Sequence, residues 1–317
     1  MKNIYVSVLC SISVFLCALG MLAADSLSPQ PGELKLKLAA GDQFRLKHQT
    51  NVAFLRDGTT ENHSFKGETV LVIVGERVPH TYIVYAQSVI SVDGKPETKP
   101  MLFSYLVTDA GKVVSFPARD RLLNGGASGA LDLSWGNIVP FTLPEAGTGP
   151  SWEAEIPVPG EMADRSVSAQ ARVTSLREAR TAAIEMEALN IKKADSLVDI
   201  KLMLYFDTTG GVPTSWDGSM TAGSDHSSRP GITLKCHTDF SRIERIAISD
   251  IPGLADCAAS LLDIQGCLAS ADDSKAAAKI SALMKSQVGN TRLRGIESLA
   301  KEAERVTHGD DQLKGGK

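Results

Sequence analysis

Glu33-Leu-Lys-Leu-Lys-Leu-Ala-Ala-Gly41-Asp-Gln-Phe-Arg-Leu-Lys-His-Gln-Thr-Asn-Val-Ala-Phe54 decides the fold class of this chain. Apolar and polar residues alternate along it. Leu34, Leu36 and Leu38 fall on one side, Glu33, Lys35 and Lys37 on the other. After a tight turn at Gly41-Asp42, Phe44, Leu46, Val52 and Phe54 oppose Arg45, Lys47, Gln49 and Asn51. Successive strand side chains point to opposite faces, so the pattern describes antiparallel strands with one face in a core and one in water. The stretch reads as an opening hairpin. His48 falls on its apolar side and reads as a core or rim histidine.

The same alternation extends outward over 65–76, 80–92, 101–108 and 112–116, with breaks at Pro79, Asp93-Gly94 and Asp109-Ala-Gly111. Residues 117–150 interrupt it with Asn124-Gly-Gly-Ala-Ser-Gly129 and Val139-Pro-Phe-Thr-Leu-Pro144 and read as a long excursion. Strands resume at 152–156, 165–176, 180–190, 196–207 and 231–240. This predicts a mainly β protein of about ten to twelve strands, arranged as an antiparallel curled sheet, a sandwich or a partly open barrel.

Near Asp250 the apolar spacing becomes helical. Leu254, Ala258, Leu261, Ile264 and Leu268 form one stripe. Asp273 is expected to cap a second helix carrying Ala276, Ala277, Ile280, Leu283 and Met284, and Thr291 a third carrying Leu293, Ile296, Leu299, Ala303 and Val306. The expected order is a leader at 1–24, a tether at 25–32, a β-rich domain at 33–248, a helical segment at 249–306 and a polar tail at 307–317.

Residues 1–24 combine Lys2 with an apolar run ending in Leu22-Ala23-Ala24, the layout of a secretory signal. The run is also close to the length of an uncleaved membrane anchor. Export to the periplasm or beyond is expected, with membrane attachment only through this segment. Outside the leader, Cys236, Cys257 and Cys267 remain, an odd number. In one unbroken helix Cys257 and Cys267 would lie about 15 Å apart, too far to bridge. All three read as small buried side chains. The formal net charge of −4, with Lys and Arg scattered singly, gives no nucleic-acid footprint.

Three stretches resemble exported bacterial β-rich domains of unknown function. They are the hairpin from Leu34 to Leu46, Leu143-Pro-Glu-Ala-Gly-Thr-Gly-Pro-Ser-Trp152, and Tyr205-Phe-Asp-Thr-Thr-Gly-Gly211. Pro150 stands where those domains carry Asp. The resemblance covers about 34–240 and implies export and sheet architecture, with no assigned chemistry.

No catalytic signature emerges. The six histidines form neither HExxH nor HxH, and the cysteines form no CxxC, so no metal or cofactor is expected. Gly126-Ala-Ser-Gly-Ala130 lacks the last glycine of a hydrolase elbow. The acids Glu153/Glu155 and Glu185/Glu187 sit on wet strand faces, where they keep a sheet soluble. His237 and Asp239 share an outer face of one strand, and Trp216 lies in the turn-rich Gly210-Gly-Val-Pro-Thr-Ser-Trp-Asp-Gly218. Trp216, His237 and Asp239 are therefore the candidate ligand or partner contacts. The expected function is non-catalytic: an extracytoplasmic binding or structural protein whose partner is an envelope protein. The alternatives are a carrier holding an apolar, lipid-like small ligand in the curled sheet, and a hydrolase with a sequence-scattered site.

Overall fold

The computed structural model describes residues 34–56, 58–96, 101–115, 137–145, 148–157, 166–177, 180–193, 196–224, 231–270 and 272–286. The strands are β1 (Gln43–Arg56), β2 (Thr59–Val78), β3 (Thr81–Val92), β4 (Lys95–Pro96), β5 (Met101–Thr108), β6 (Val113–Ser115), β7 (Ser151–Pro157), β8 (Ser166–Arg177), β9 (Thr181–Lys193), β10 (Ser196–Asp207), β11 (Val212–Ser224) and β12 (Ile232–Ile243). They form one antiparallel sheet in the order β6-β5-β3-β2-β1-β12-β11-β10-β9-β8-β7, with β4 paired to β3 off this path. Most sequence neighbours pair, but β5 pairs β3 past the short β4, β6 and β7 are the two edges, and β1 joins β12 and so links the two halves. The sheet curls without closing into a barrel.

The alternation that forms the strands also sorts the two faces. Phe44, Leu46, Val52, Leu71, Ile73, Val84, Ile184, Leu202, Leu204, Phe206 and Leu234 point to the concave side and make a single core. Shifted pairing registers at Ile73/Gly75, Val173/Ser175, Val198/Ile200 and Tyr205/Phe206 add the local twist that lets long strands curl. The β3–β4 turn places Asp93 and Gly94 at φ 48° and 77°, the left-handed pair that matches the twist of a two-residue hairpin.

The two ends of the curled sheet differ. At one end, Leu34, Leu36 and Leu38 are buried, together with Ile138, Val139 and Phe141. Leu36 N–H donates to Asp109 O and Lys37 N–H to Gly211 O, so the segment crosses that end like a bar. This corrects the expected opening hairpin: residues 34–38 alternate because they plug the core, not because they pair in the ladder. Thr142 and Leu143 bridge the edge strands there. Thr142 N–H donates to Glu155 O on β7, and Leu143 N–H to Ala110 O beside β6. At the other end, Phe54, Val92, Ile191, Val198, Met220 and Ile232 are only half-buried and ring a mouth.

On the convex side, Ile251–Ala269 (α1) and Asp273–Ser286 (α2) follow a short 3-10 turn, Ile248–Asp250. Leu254, Ala258, Leu261 and Ile264 pack with Cys257 and Cys267 against Val72, Val74, Tyr85 and Leu102 of β2, β3 and β5. Helix α1 runs unbroken past Gly266, and Cys236, Cys257 and Cys267 are all buried. Asp272, not Asp273, caps α2: its Oδ1 accepts from Lys275 N–H. The third expected helix, the leader, the tether and the tail lie outside the described residues, as does Gly126–Ala130.

Candidate functional site

The three candidate contacts fall on opposite faces of the sheet. His237 and Asp239 are two apart on β12 and exposed on the convex side. Asp217 stands opposite His237 on β11. His237 Nδ1 lies 2.8 Å from Asp217 Oδ1, and Nε2 lies 3.3 Å from Asp239 Oδ1. Asp217 foremost holds the His237 pKa above its ordinary value, against a smaller opposing effect of desolvation. With both ring nitrogens held by carboxylates, the charged form of the imidazole is favoured and neither nitrogen is left free to serve as a base. The pair borders an open groove of about 430 Å³, lined also by Lys47, Gln49, Lys66 and Glu68. Among the described residues no group of three or more His, Cys, Asp or Glu is placed to hold a metal.

The acids on the wet face are engaged across strands. Glu155 pairs with Lys112 at 3.1 Å, Glu185 with Arg172 at 2.6 Å, and Glu187 with Lys201 at 2.7 Å. Lys201 first of all holds Glu187 below the usual carboxylate range. A second groove, of about 650 Å³ at the plugged end, carries Lys35, Lys37, Arg242 and Arg245. Its cations are largely engaged within the chain. Lys37 Nζ donates to the carbonyls of Thr208 and Thr209, and Arg245 pairs with the buried Asp42 at 3.1 Å.

Trp216 behaves differently from its sequence setting. The segment read as turn-rich is a turn only to Gly211. From Val212 it is strand β11, and Trp216 is wholly buried on the concave side beside Phe240, with ring centroids 6.3 Å apart. The side chain faces the interior. Its indole N–H has no hydrogen-bond partner among the described residues.

Trp216 is not alone in this. Opposite it on β12 is Thr238, and opposite Thr238 on β1 is His48. Thr50 lies two residues further along β1. All four are buried on the concave face. Trp216 Nε1, Thr238 Oγ1, His48 Nδ1 and Thr50 Oγ1 are buried without partners among the described residues. Residues directly opposite on neighbouring strands stand about 5 Å apart, so three adjacent strands gather these atoms into one patch. Elsewhere on the concave face polar groups are paired: Thr69 Oγ1 donates to Ser88 Oγ at 2.9 Å. Asn137 and Gln265, which also carry unpartnered buried atoms, belong to other segments.

Gly67 positions the patch. It faces His48 across β1 and β2, and a Cβ built on it would meet His48 Nε2 at 2.0 Å. The imidazole lies over bare backbone that any other residue would cover. Sequence reading singled out Trp216 from this patch but missed its company. His48 fell on the apolar parity, yet only the β1–β12 pairing brings His48 to Thr238, some 190 residues later.

No family model matches this chain, and no curated protein does. Among solved structures it is similar to lipovitellin, from a study of its lipid–protein interactions, at 9% identity and a TM-score of 0.42. That match covers 66% of this chain and 26% of lipovitellin, so the chain spans about a quarter of that protein. It is also similar to an S-type phycobiliprotein lyase from Guillardia theta (7% identity, TM-score 0.29, 64% of this chain and 88% of the other). A LolA superfamily protein from Nitrosomonas europaea shows 10% identity and a TM-score of 0.19 over 72% of this chain and 96% of the other. TM-scores this low carry no functional inference.

Proposed function

We propose that this protein acts by binding, holding an apolar ligand with one hydrogen-bonding group on the concave face of its curled sheet. The observation that carries this reading is the patch of four unpartnered polar atoms on Trp216, Thr238, His48 and Thr50, set below a half-buried apolar mouth. Each buried polar group left unpaired costs about 1–3 kcal/mol. Native folds rarely keep several together unless water or a ligand satisfies them. From Phe54 at the mouth to Thr50 is four strand residues, about 13 Å. The lining between is apolar: Val52, Leu234 and Phe65. A slender apolar body with a polar tip matches that sequence of surfaces.

Room for the ligand comes from the mouth. Met220 is half-buried there, and an unbranched thioether side chain repacks at low cost. Gly218, which pairs with Cys236 one rung below, adds no side chain to the concave face. The leader-like first 24 residues support action outside the cytoplasm.

The test is native mass spectrometry of the purified full chain, followed by solvent extraction and lipid analysis. A stoichiometric adduct, released by extraction and reduced in Trp216→Phe, is expected. A homogeneous unliganded mass that takes up no added long-chain amphiphile would sink the proposal.

A further inference from the structure

We infer that the polar group of the ligand is uncharged: an alcohol, ester or monoacylglycerol headgroup rather than a carboxylate or phosphate. This rests on the binding reading above and narrows it. Between the plugged end and the mouth, the described concave face carries Thr50, Thr69, Ser88, Thr238, His48, Tyr105 and Trp216 as its buried polar side chains, and no Asp, Glu, Lys or Arg. An ionised head placed there would meet no permanently charged partner, and an unpaired buried charge is far costlier than an unpaired dipole.

The patch specifies more than neutrality. The Trp216 indole N–H can only donate, so it needs an acceptor oxygen. The hydroxyls of Thr50 and Thr238 can donate or accept. His48 Nδ1 accepts or donates according to tautomer. One alcohol or ester oxygen with its neighbours answers all four, whereas an ammonium has no atom to offer Trp216.

Among the described residues, two charged groups at the ends of the interior are already engaged. At the plugged end the buried Asp42 lies 3.1 Å from Arg245. At the mouth His63 Nδ1 lies 2.9 Å from Asp93 Oδ2, and its ring packs edge-on to Phe54. The Ser64 backbone N–H, then His63, hold the Asp93 carboxyl below its usual range. At the mouth the His63 ring is therefore already engaged by a carboxylate.

Displacement of 1-aminoanthracene from the full chain tests this, using hexadecanol, 1-monopalmitoylglycerol, palmitate in alkaline buffer and hexadecyl phosphate as competitors. The two neutral lipids should displace the dye at concentrations about 10-fold or more below the two anions. Equal or tighter binding of either anion would overturn the neutral-head inference while leaving the binding reading intact. Failure of all four to displace or bind, checked by native mass spectrometry, would overturn both. Thr238→Val keeps the shape of the side chain and its strand propensity. It should weaken hexadecanol by about 5–10-fold, the worth of one hydrogen bond, with little change for palmitate. An unchanged hexadecanol affinity in this folded variant would also overturn the inference.

Discussion

Gly67 carries an unusual constraint for a strand residue, because the His48 ring occupies the space of its missing side chain. Gly67→Ala should cost about 1–3 kcal/mol in urea denaturation, the usual penalty for overpacking a core. His48→Ala in the same background should return much of it, since the two changes share one space. Additive losses would contradict the placement. On the opposite face, Asp217 raises the His237 pKa. A raised folded-state pKa means that the pair's contribution to stability is complete below the unfolded value of about 6.5 and fades as pH rises through the folded value. An NMR titration should find His237 above the free-histidine range, and Asp217→Asn should bring it back down. An identical midpoint in both proteins would refute the ion pair. Neither contact was legible in the sequence: parity along β12 put His237 beside Asp239, but Asp217 and Gly67 arrive from other strands through pairing register.

At the scale of elements, α1 serves as a cover for the convex side of β2, β3 and β5. Leu261 is its most central contact by position and is 1% exposed. Leu261→Ala should lower stability by about 2–5 kcal/mol, the range for emptying a leucine-sized volume. A loss within experimental error would mean that α1 does not dock as described. Cys257 on the same stripe is fully buried, and burial pushes its thiol up to about 11. Thiol reagents should modify it only as fast as α1 lifts from the sheet, so labelling should accelerate in Leu261→Ala. The helical stripe from Leu254 to Ile264 was readable from spacing alone, because a 3.6-residue period has no competing explanation. Two local readings failed for physical reasons. Residues 34–38 alternate like a strand, yet their outer neighbours are the β5–β6 and β10–β11 turns, not another strand. The segment around Trp216 is rich in Gly, Pro and Ser, which suppress strand propensity, but pairing with β10 and β12 on both sides overrides it.

At the scale of the whole molecule, one twelve-stranded sheet wraps around a core that is plugged at one end and half-open at the other. Alternation foretold the class, the strand number and the wet outer face. It did not foretell the asymmetry of the ends, which depends on where residues 138–143 and 34–38 return to the sheet. Nor did it place the interior patch, which draws on β1, β11 and β12, elements distant in sequence that meet only when the sheet is assembled. The three-dimensional arrangement turns ordinary residues into a site: two threonines, a histidine and a tryptophan become distinctive because they are buried together without partners.

Two indoles inside the protein supply the most direct measurement. Trp152 Nε1–H donates to the Thr142 carbonyl at 3.0 Å, whereas Trp216 Nε1–H has no partner among the described residues. In ¹H–¹⁵N spectra of the delipidated full chain, assigned with Trp→Phe variants, titration with hexadecanol should shift the Trp216 indole resonance downfield as it acquires an acceptor. The Trp152 resonance should stay in place. A Trp216 resonance that does not move at saturating lipid, or one that moves only as much as that of Trp152, would contradict a ligand at the concave patch.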